Sequence, residues 1–346
     1  MSADVRAIFA QTATQASLTS YYTIAGRLLR LDAQPGWATE WVADFLNGFL
    51  LVRTAAPANT GAAVTLSVQR AAPPPIPPGL QTFAINHGVC YTDGAAFFLS
   101  VDESLIEIAE PAAQTVTVWF GETPHARHPV ALVNVFAYGL QAALRRAGVF
   151  DVHAGGVLDP AAGTGALLIG AAGSGKSTLT LKLTASGWRY LSDDMVVLLE
   201  TAAGVEVEGL RRLFAVSAAT LAGHSLPRLA KALGTSVASD PSKRKLQPDI
   251  IFPEGRVQRC RPHVLFFPQV TGEPETHVNA ISARAAMQQL VRFCPWATYD
   301  PHVAPDYLRM LALLANQCRS YELLAGRDLL RNPARAAELL APYMKE

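Results

Sequence analysis

The chain has 346 residues, a length that accommodates two domains of ordinary size. Half of the residues (50%) are hydrophobic and 16% are charged, so a large core can be buried and wholesale disorder is excluded. Basic and acidic residues number 29 and 28, a formal charge of +1. That excludes a general electrostatic footprint for nucleic acid but leaves room for a local basic cluster.

The longest apolar stretch, residues 130–144, contains Asn134, Gly139 and Gln141 and runs into Arg145 and Arg146. It is too short and too polar to span a membrane, so no membrane partner is expected. The opening MSADVRAIFAQTATQ lacks a basic region followed by an apolar core, and no secretory signal is read from it. Cys90, Cys260, Cys294 and Cys318 are far apart and form no CxxC. This predicts reduced thiols in a cytoplasmic chain and offers no zinc site.

In chain order, the segment at 37–51 carries Trp37, Trp41, Phe45 and Phe49 at a spacing of four and predicts an amphipathic helix whose stripe is core. AVTLSV (63–68), AAFFLSV (95–101), SLIEIA (104–109) and TVTVWF (115–120) predict strands from their β-branched and aromatic content. PPPIPPG (73–79) predicts a stiff connector. A helix is expected over 129–148, opened by Pro129, with Arg145 and Arg146 in its last turn and Gly148 ending it.

Beyond it the pattern becomes α/β. VHAGGVLD (152–159) and ALLIG (166–170) predict strands, followed by a glycine-rich loop, a helix at 176–186 and a strand at 188–193. This alternation predicts a largely parallel sheet. MVVLLE and VEVEGL, split by TAAG, predict a hairpin, and HVLFFP (263–268) a buried strand. Residues 282–294 and 305–345 are expected to be mostly helical. The organisation predicted is a β-rich α+β N-terminal domain (1–128) and a catalytic domain (129–346), an α/β P-loop core with a helical C-terminal segment.

The chemistry concentrates at Gly170-Ala171-Ala172-Gly173-Ser174-Gly175-Lys176-Ser177-Thr178, which fits GxxxxGK[ST]. Small residues let successive backbone N–H groups curl around a phosphate, and the helix starting at Lys176 adds its unpaired amides and positive dipole end. Lys176 can reach the outer phosphates of ATP, Ser177 can ligate Mg²⁺, and Thr178 can assist from the helix N-terminus.

Asp193 and Asp194 follow the strand WRYLS. The helix carries the chain away from the loop by about 16 Å, and the strand returns it by roughly 20 Å. The pair is therefore expected level with the loop, on opposite faces of the strand end. One carboxylate could take a proton from an attacking hydroxyl while the other orients Mg²⁺ or braces the loop.

His153-Ala-Gly-Gly-Val, GAAGSGKSTLTLKL and SGWRYLSDDMVVL together resemble the HPr kinase/phosphorylase family and its serine-kinase relatives, closely over residues 150–200 and more weakly to about 330. The resemblance implies an HPr-kinase-like fold for the core. It implies that Lys176 contacts phosphate, that Ser177 helps hold Mg²⁺, and that Asp194 is the base activating an acceptor hydroxyl. It also implies that His153 is the active-site histidine beside the aspartates. A second Mg²⁺ carboxylate downstream of the aspartates falls to Glu208 by the same resemblance. The family's relatives phosphorylate serines of proteins or peptides, biosynthetic precursor peptides among them, and the resemblance is compatible with a homo-oligomer. The N-terminal region does not resemble that enzyme, so its phosphocarrier regulation and its phosphorylase activity are not implied.

Three further features are candidates. Ser242-Lys243-Arg244-Lys245 is the densest basic run and could hold a phosphorylated product or an acidic acceptor, with residues 234–242 as a loop closing over ATP. Arg211 and Arg212 follow the hairpin and could point at the site. Arg256, Arg259 and Arg261 read as surface residues. The function expected is an ATP- and Mg²⁺-dependent kinase acting on a serine of a protein or peptide. The alternatives are a small-molecule kinase on the same core, or a nucleotide-binding ATPase or switch; NKxD and LSGGQ are absent.

Overall fold

The computed structural model describes residues 18–33, 45–56, 64–85, 88–93, 96–101, 104–108, 114–120, 129–221, 226–237, 240–331 and 334–345. The chain divides into two compact units, 1–149 with 300–303, and 150–299 with 304–346.

The first unit is built on β1 (Leu18–Ile24), β2 (Arg27–Ala33), β3 (Val52–Thr54), β4 (Val64–Arg70), β5 (Gln81–Ile85), β6 (Gly88–Thr92), β7 (Phe97–Val101), β8 (Ser104–Ile108) and β9 (Thr115–Phe120). Among the described residues these nine strands form one sheet in the order β3-β1-β2-β4-β9-β8-β7-β6-β5. Alternation places Leu29 and Leu31 of β2, Leu66 and Val68 of β4, and Val116 and Val118 of β9 in the core. All four strands predicted in this region are present, and residues 73–79 form no strand or helix.

Helix α1 (Pro129–Arg146) packs on β4, β7, β8 and β9. It approaches closely at Gly139, where an added Cβ would lie 2.6 Å from Val118 Cγ2. Gly148, at φ +73°, closes the helix, and Val149 N donates to Leu144 O at 2.9 Å. Because α1 covers this sheet, the units divide after Val149 and not at 128/129. The helix expected at 37–51 is described only from 45; Phe45 to Asn47 are helical, and Phe49 is buried against Phe45. Trp37 and Trp41 lie outside the described residues.

The second unit begins with β10 (Phe150–Val152), β11 (Ala154–Asp159), β12 (Thr164–Ile169), α2 (Lys176–Ala185), β13 (Arg189–Ser192), β14 (Val196–Thr201) and β15 (Gly204–Gly209). It continues with β16 (Phe214–Ser217), α3 (Ala218–Leu221), α4 (Leu229–Ala232), β17 (Leu233–Val237), β18 (Asp240–Leu246), α5 (Pro248–Ile251), β19 (Arg259–Cys260), β20 (Pro262–Val270) and β21 (His277–Ile281). It ends with α6 (Ala283–Phe293), α7 (Trp296–Tyr299), α8 (Ala304–Gln317), β22 (Arg319–Ala325), α9 (Asp328–Arg331) and α10 (Arg335–Met344).

The central sheet has the order β13-β11-β12-β20-β22-β21. It is mixed, not largely parallel: β12, β20 and β22 run parallel, but β11 runs against both β12 and β13, and β21 runs against β22. The cause is the tight turn 160–163, which sends β11 straight back as β12. Asp159 Oδ1 accepts from Ala161 N at 2.9 Å, Gly163 N donates to Asp159 O at 2.8 Å, and Gly163 adopts φ +70°. Val157, Ala166, Leu168, Val264, Phe266 and Leu323 of the sheet form one core with Leu179 and Leu183 of α2 and Leu340 and Met344 of α10.

The predicted hairpin is β14–β15, with Thr201 opposite Gly204. The C-terminal stretch 305–345 is not wholly helical, because β22 is inserted between α8 and α9 to pair with β20. Of the stretch 234–242 expected as a loop, the described residues lie in β17 and β18, which pair and with β16 form a three-stranded sheet in the order β16-β18-β17.

Gly155 lets α2 lie close on β11. A Cβ there would meet Thr180 Oγ1 at 2.5 Å, and Thr180 is fully buried. Gly155→Ala is expected to destabilise the unit by about 1–3 kcal/mol through overpacking. Thermal unfolding checks this, and Thr180→Ala, which removes the obstructing hydroxyl, is expected to restore most of the loss.

Candidate functional site

Residues 152–159 were expected as one strand, but the chain breaks at His153. β10 pairs with β14 in one sheet, Val152 opposite Val196, while β11 pairs with β13 in another, Gly156 opposite Ser192. The two registers continue one another, so residues 153–155, which have no ladder partner on the β13–β14 side, lie across from 193–195. His153 and Asp194 meet there, Nδ1 to Oδ1 at 3.2 Å, with about a third of each side chain exposed (37% and 37%). The Ser192 hydroxyl accepts from Asp194 N at 3.4 Å and Met195 N at 3.3 Å, shaping the turn that carries both aspartates.

The glycine-rich loop leaves the end of β12. Gly173 and Gly175 occupy the left-handed region, at φ +81° and +99°. Gly170 has no room for a side chain: a Cβ would lie 2.7 Å from Ser174 Oγ and 3.3 Å from Pro268 O. Gly175 caps α2 without any side-chain hydrogen bond, and the first turn holds no acid. The first turn of the helix therefore supplies no side-chain cap and no carboxylate of its own to the amides and dipole that face the loop. Ala171, Ala172 and Gly173 are exposed at the tip.

Lys176 is 5% exposed and folds back over the loop, donating to Gly170 O at 2.6 Å and Ala171 O at 2.9 Å. Burial lowers its pKa, against the pull of Asp194 and Asp193. Thr178 Oγ1 lies 2.9 Å from Thr220 Oγ1, which in turn lies 3.0 Å from Ser217 Oγ. That chain of hydroxyls ties the start of α2 to β16.

The two aspartates differ as their opposite facing requires. Asp193 is fully buried; its Oδ2 accepts from Ala215 N at 3.0 Å, while Oδ1 has no hydrogen-bond partner among the described residues. Burial, then the neighbouring Asp194 charge, push its pKa up to about 7, with Ala215 N and the Ser177 hydroxyl pulling the other way. For Asp194, burial favours the neutral acid, but His153, Arg211, Lys176 and Lys243 outweigh it and hold the carboxyl below its usual range. Burial also lowers the pKa of His153, with Asp194 opposing and Lys176 and Arg211 assisting, so the imidazole is neutral at pH 7.

An unpartnered carboxylate oxygen on an acid that the Ser177 hydroxyl also approaches fits a divalent cation, because hard cations take oxygen ligands. The linkage has a definite sign. A carboxyl raised from its unfolded value stabilises the fold while protonated, so the cation-free chain loses that contribution as pH rises from about 4 to about 7. Asp193→Asn is expected to flatten that part of the profile and to raise Tm at pH 8 in the presence of a chelator. Thermal unfolding of both forms at pH 5 and pH 8 checks it.

Of the residues singled out in sequence, Lys176, Ser177, Asp193, Asp194 and His153 are brought together at the N-terminal end of α2. Glu208, expected to supply a second cation ligand, is ion-paired with Arg259 of β19, which also reaches Glu206 at 3.3 Å. Arg211 does act on both aspartates, whereas Arg212 is exposed. Arg256 pairs with Asp249 at 3.3 Å. The sequence reading did not foresee Ser192, whose hydroxyl builds the aspartate turn, or Ala215, whose amide anchors Asp193. A serine directly before a turn was the one available signal for the first; a backbone amide leaves none for the second.

The chain is thus a mixed α/β protein with several sheets, in which a glycine-rich strand-to-helix turn lies beside a pair of acids. No family model matches it, and no curated protein matches it. Among solved structures it is similar to the Hpr(Ser) kinase/phosphatase from Coxiella burnetii, with 12% sequence identity and a TM-score of 0.27, over 56% of this chain and 98% of that one. All four cysteines are buried and in no disulfide, and among the described residues no helix is long and apolar enough to cross a membrane.

Proposed function

We propose that the chain is an ATP- and Mg²⁺-dependent kinase that transfers the γ-phosphoryl group to a hydroxyl, a serine of a protein or peptide. One observation carries the reading: a lysine, a serine hydroxyl beside an orphaned acid, and an ionised acid converge on one uncapped helix N-terminus. A structural turn has no need for three such groups, and phosphoryl transfer uses each of them.

In this reading residues 170–175 supply backbone amides to the phosphates, and Lys176 exchanges its two carbonyl partners for phosphate oxygens. Ser177 and Asp193 would hold the cation, which when bound offsets charge on the outer phosphates. Asp194 stays ionised at neutral pH and accepts the proton of the acceptor hydroxyl. The hydroxyl oxygen forms the new P–O bond as the bond to ADP breaks. His153, neutral and 3.2 Å from Asp194 Oδ1, is an N–H donor that fixes the carboxylate's orientation. Arg211 keeps the same carboxylate charged.

The test is incubation with γ-labelled ATP, Mg²⁺ and serine-containing peptides or proteins. Label in the acceptor supports the kinase; release of free phosphate alone, whatever acceptor is offered, replaces it with an ATPase.

A further inference from the structure

The basic run found in sequence lies in β18, a strand of the sheet that borders the site. Residues 211–248 hold seven basic side chains (Arg211, Arg212, Arg228, Lys231, Lys243, Arg244, Lys245) and one acid, Asp240, in a chain whose formal charge is only +1. Two contacts fix this sheet against the site: Ala215 N on Asp193 Oδ2 at 3.0 Å, and the Ser217–Thr220–Thr178 hydroxyls.

The register then decides which cations face the aspartates. Lys243 lies opposite Ser217 and Lys245 opposite Ala215, so both share the face on which the Ser217 hydroxyl reaches Thr220 and, through it, Thr178. All four residues are half-buried. Arg244, one residue out of step, lies on the other face and donates to Gly234 O from Nε at 3.1 Å and Nη2 at 2.9 Å. Lys243 is also close enough to act on Asp194.

We infer that the β16–β18 face is the acceptor platform, and that its occupant is an extended acidic peptide whose carboxylate, two residues from the target serine, is held by Lys245. This rests on the kinase reading above. Same-face lysines on a strand stand roughly 7 Å apart, and side chains two apart on an extended peptide stand equally far apart. With the target serine at Asp194 beside Lys243, the matching position on the peptide is therefore two residues along. The surrounding excess of cations favours an acidic ligand and disfavours a basic one.

The experiment uses the full chain with ADP and Mg²⁺, and fluorescein-labelled nine-residue peptides followed by anisotropy. One peptide carries serine with Asp two residues before and after it; the others carry Asn or Lys at both places. The Asp peptide is expected to bind roughly fivefold or more tighter than the Asn peptide, with the gap closing at 0.5 M salt. Lys245→Glu is expected to reverse the preference, so that the Lys peptide binds best, a recovery that a merely structural lysine would not produce. Lys245→Ala, which alters packing least, is expected to abolish the difference. Equal binding of the Asp and Asn peptides overturns the inference, as does tighter binding of a single-stranded oligonucleotide than of the Asp peptide. Because binding is read without transfer, an Asp peptide that binds selectively but is never phosphorylated sinks the kinase reading and leaves the acidic platform standing.

Discussion

Asp194→Asn is expected to bind ATP with near wild-type affinity and to lose phosphoryl transfer by about 10²- to 10⁴-fold, the range general-base catalysis commands. The substitution preserves shape and the contact with His153, but removes the acceptor of the hydroxyl proton. The site itself argues for this residue and not its neighbour. Asp194 is held ionised at neutral pH by Arg211, Lys176 and Lys243, with neutral His153 as a hydrogen-bond donor, and its side chain is about a third exposed (37%), so a substrate can reach it. Asp193 is sealed, with one oxygen on Ala215 N and its pKa displaced towards neutrality. Calorimetry for nucleotide and single-turnover transfer separate the two effects; undiminished transfer would remove Asp194 as the base.

Lys176→Ala is expected to weaken ATP binding by roughly 10- to 100-fold, the scale of one charge-assisted contact to phosphate in a partly dry site. The lysine is buried at 5% exposure and already costs the fold desolvation, which lowers its pKa. Its present partners are the carbonyls of Gly170 and Ala171. Truncation therefore also frees the loop, and Lys176→Arg is the informative second variant. It keeps the charge but brings a larger, planar head into the same narrow turn, so it is expected to recover less than half of the lost binding free energy. Unchanged nucleotide affinity in Lys176→Ala would contradict a phosphate role for the loop.

Much of this arrangement was legible in the chain because it depends on local spacing. Gly170 to Thr178 carries its own geometry, and a helix followed by a strand of matching reach returns Asp193 and Asp194 to the loop by arithmetic alone. The alternation of β4, β7, β8 and β9 was equally plain. What stayed hidden depended on pairing between distant segments. His153 looks like an ordinary strand residue until β10 and β11 are seen to join different sheets. Glu208 looks like a spare carboxylate until β19 brings Arg259 beside it. Polar, basic DPSKRKL reads as a loop by composition, but pairing with β16 and β17 makes it a strand. Membership of α1 in the first unit is likewise a matter of what it packs on, which sequence periodicity does not name.

The hairpin turn at 160–163 has a bearing on how such a protein can evolve. The histidine and the acid are aligned by ladder register between neighbouring strands, and the glycine-rich turn is aligned by where β12 ends; neither depends on how many residues cross over between β11 and β12. Residues added at the tip of that turn, outside the Asp159–Thr164 pair, would lengthen only the connection and leave the reacting groups in place.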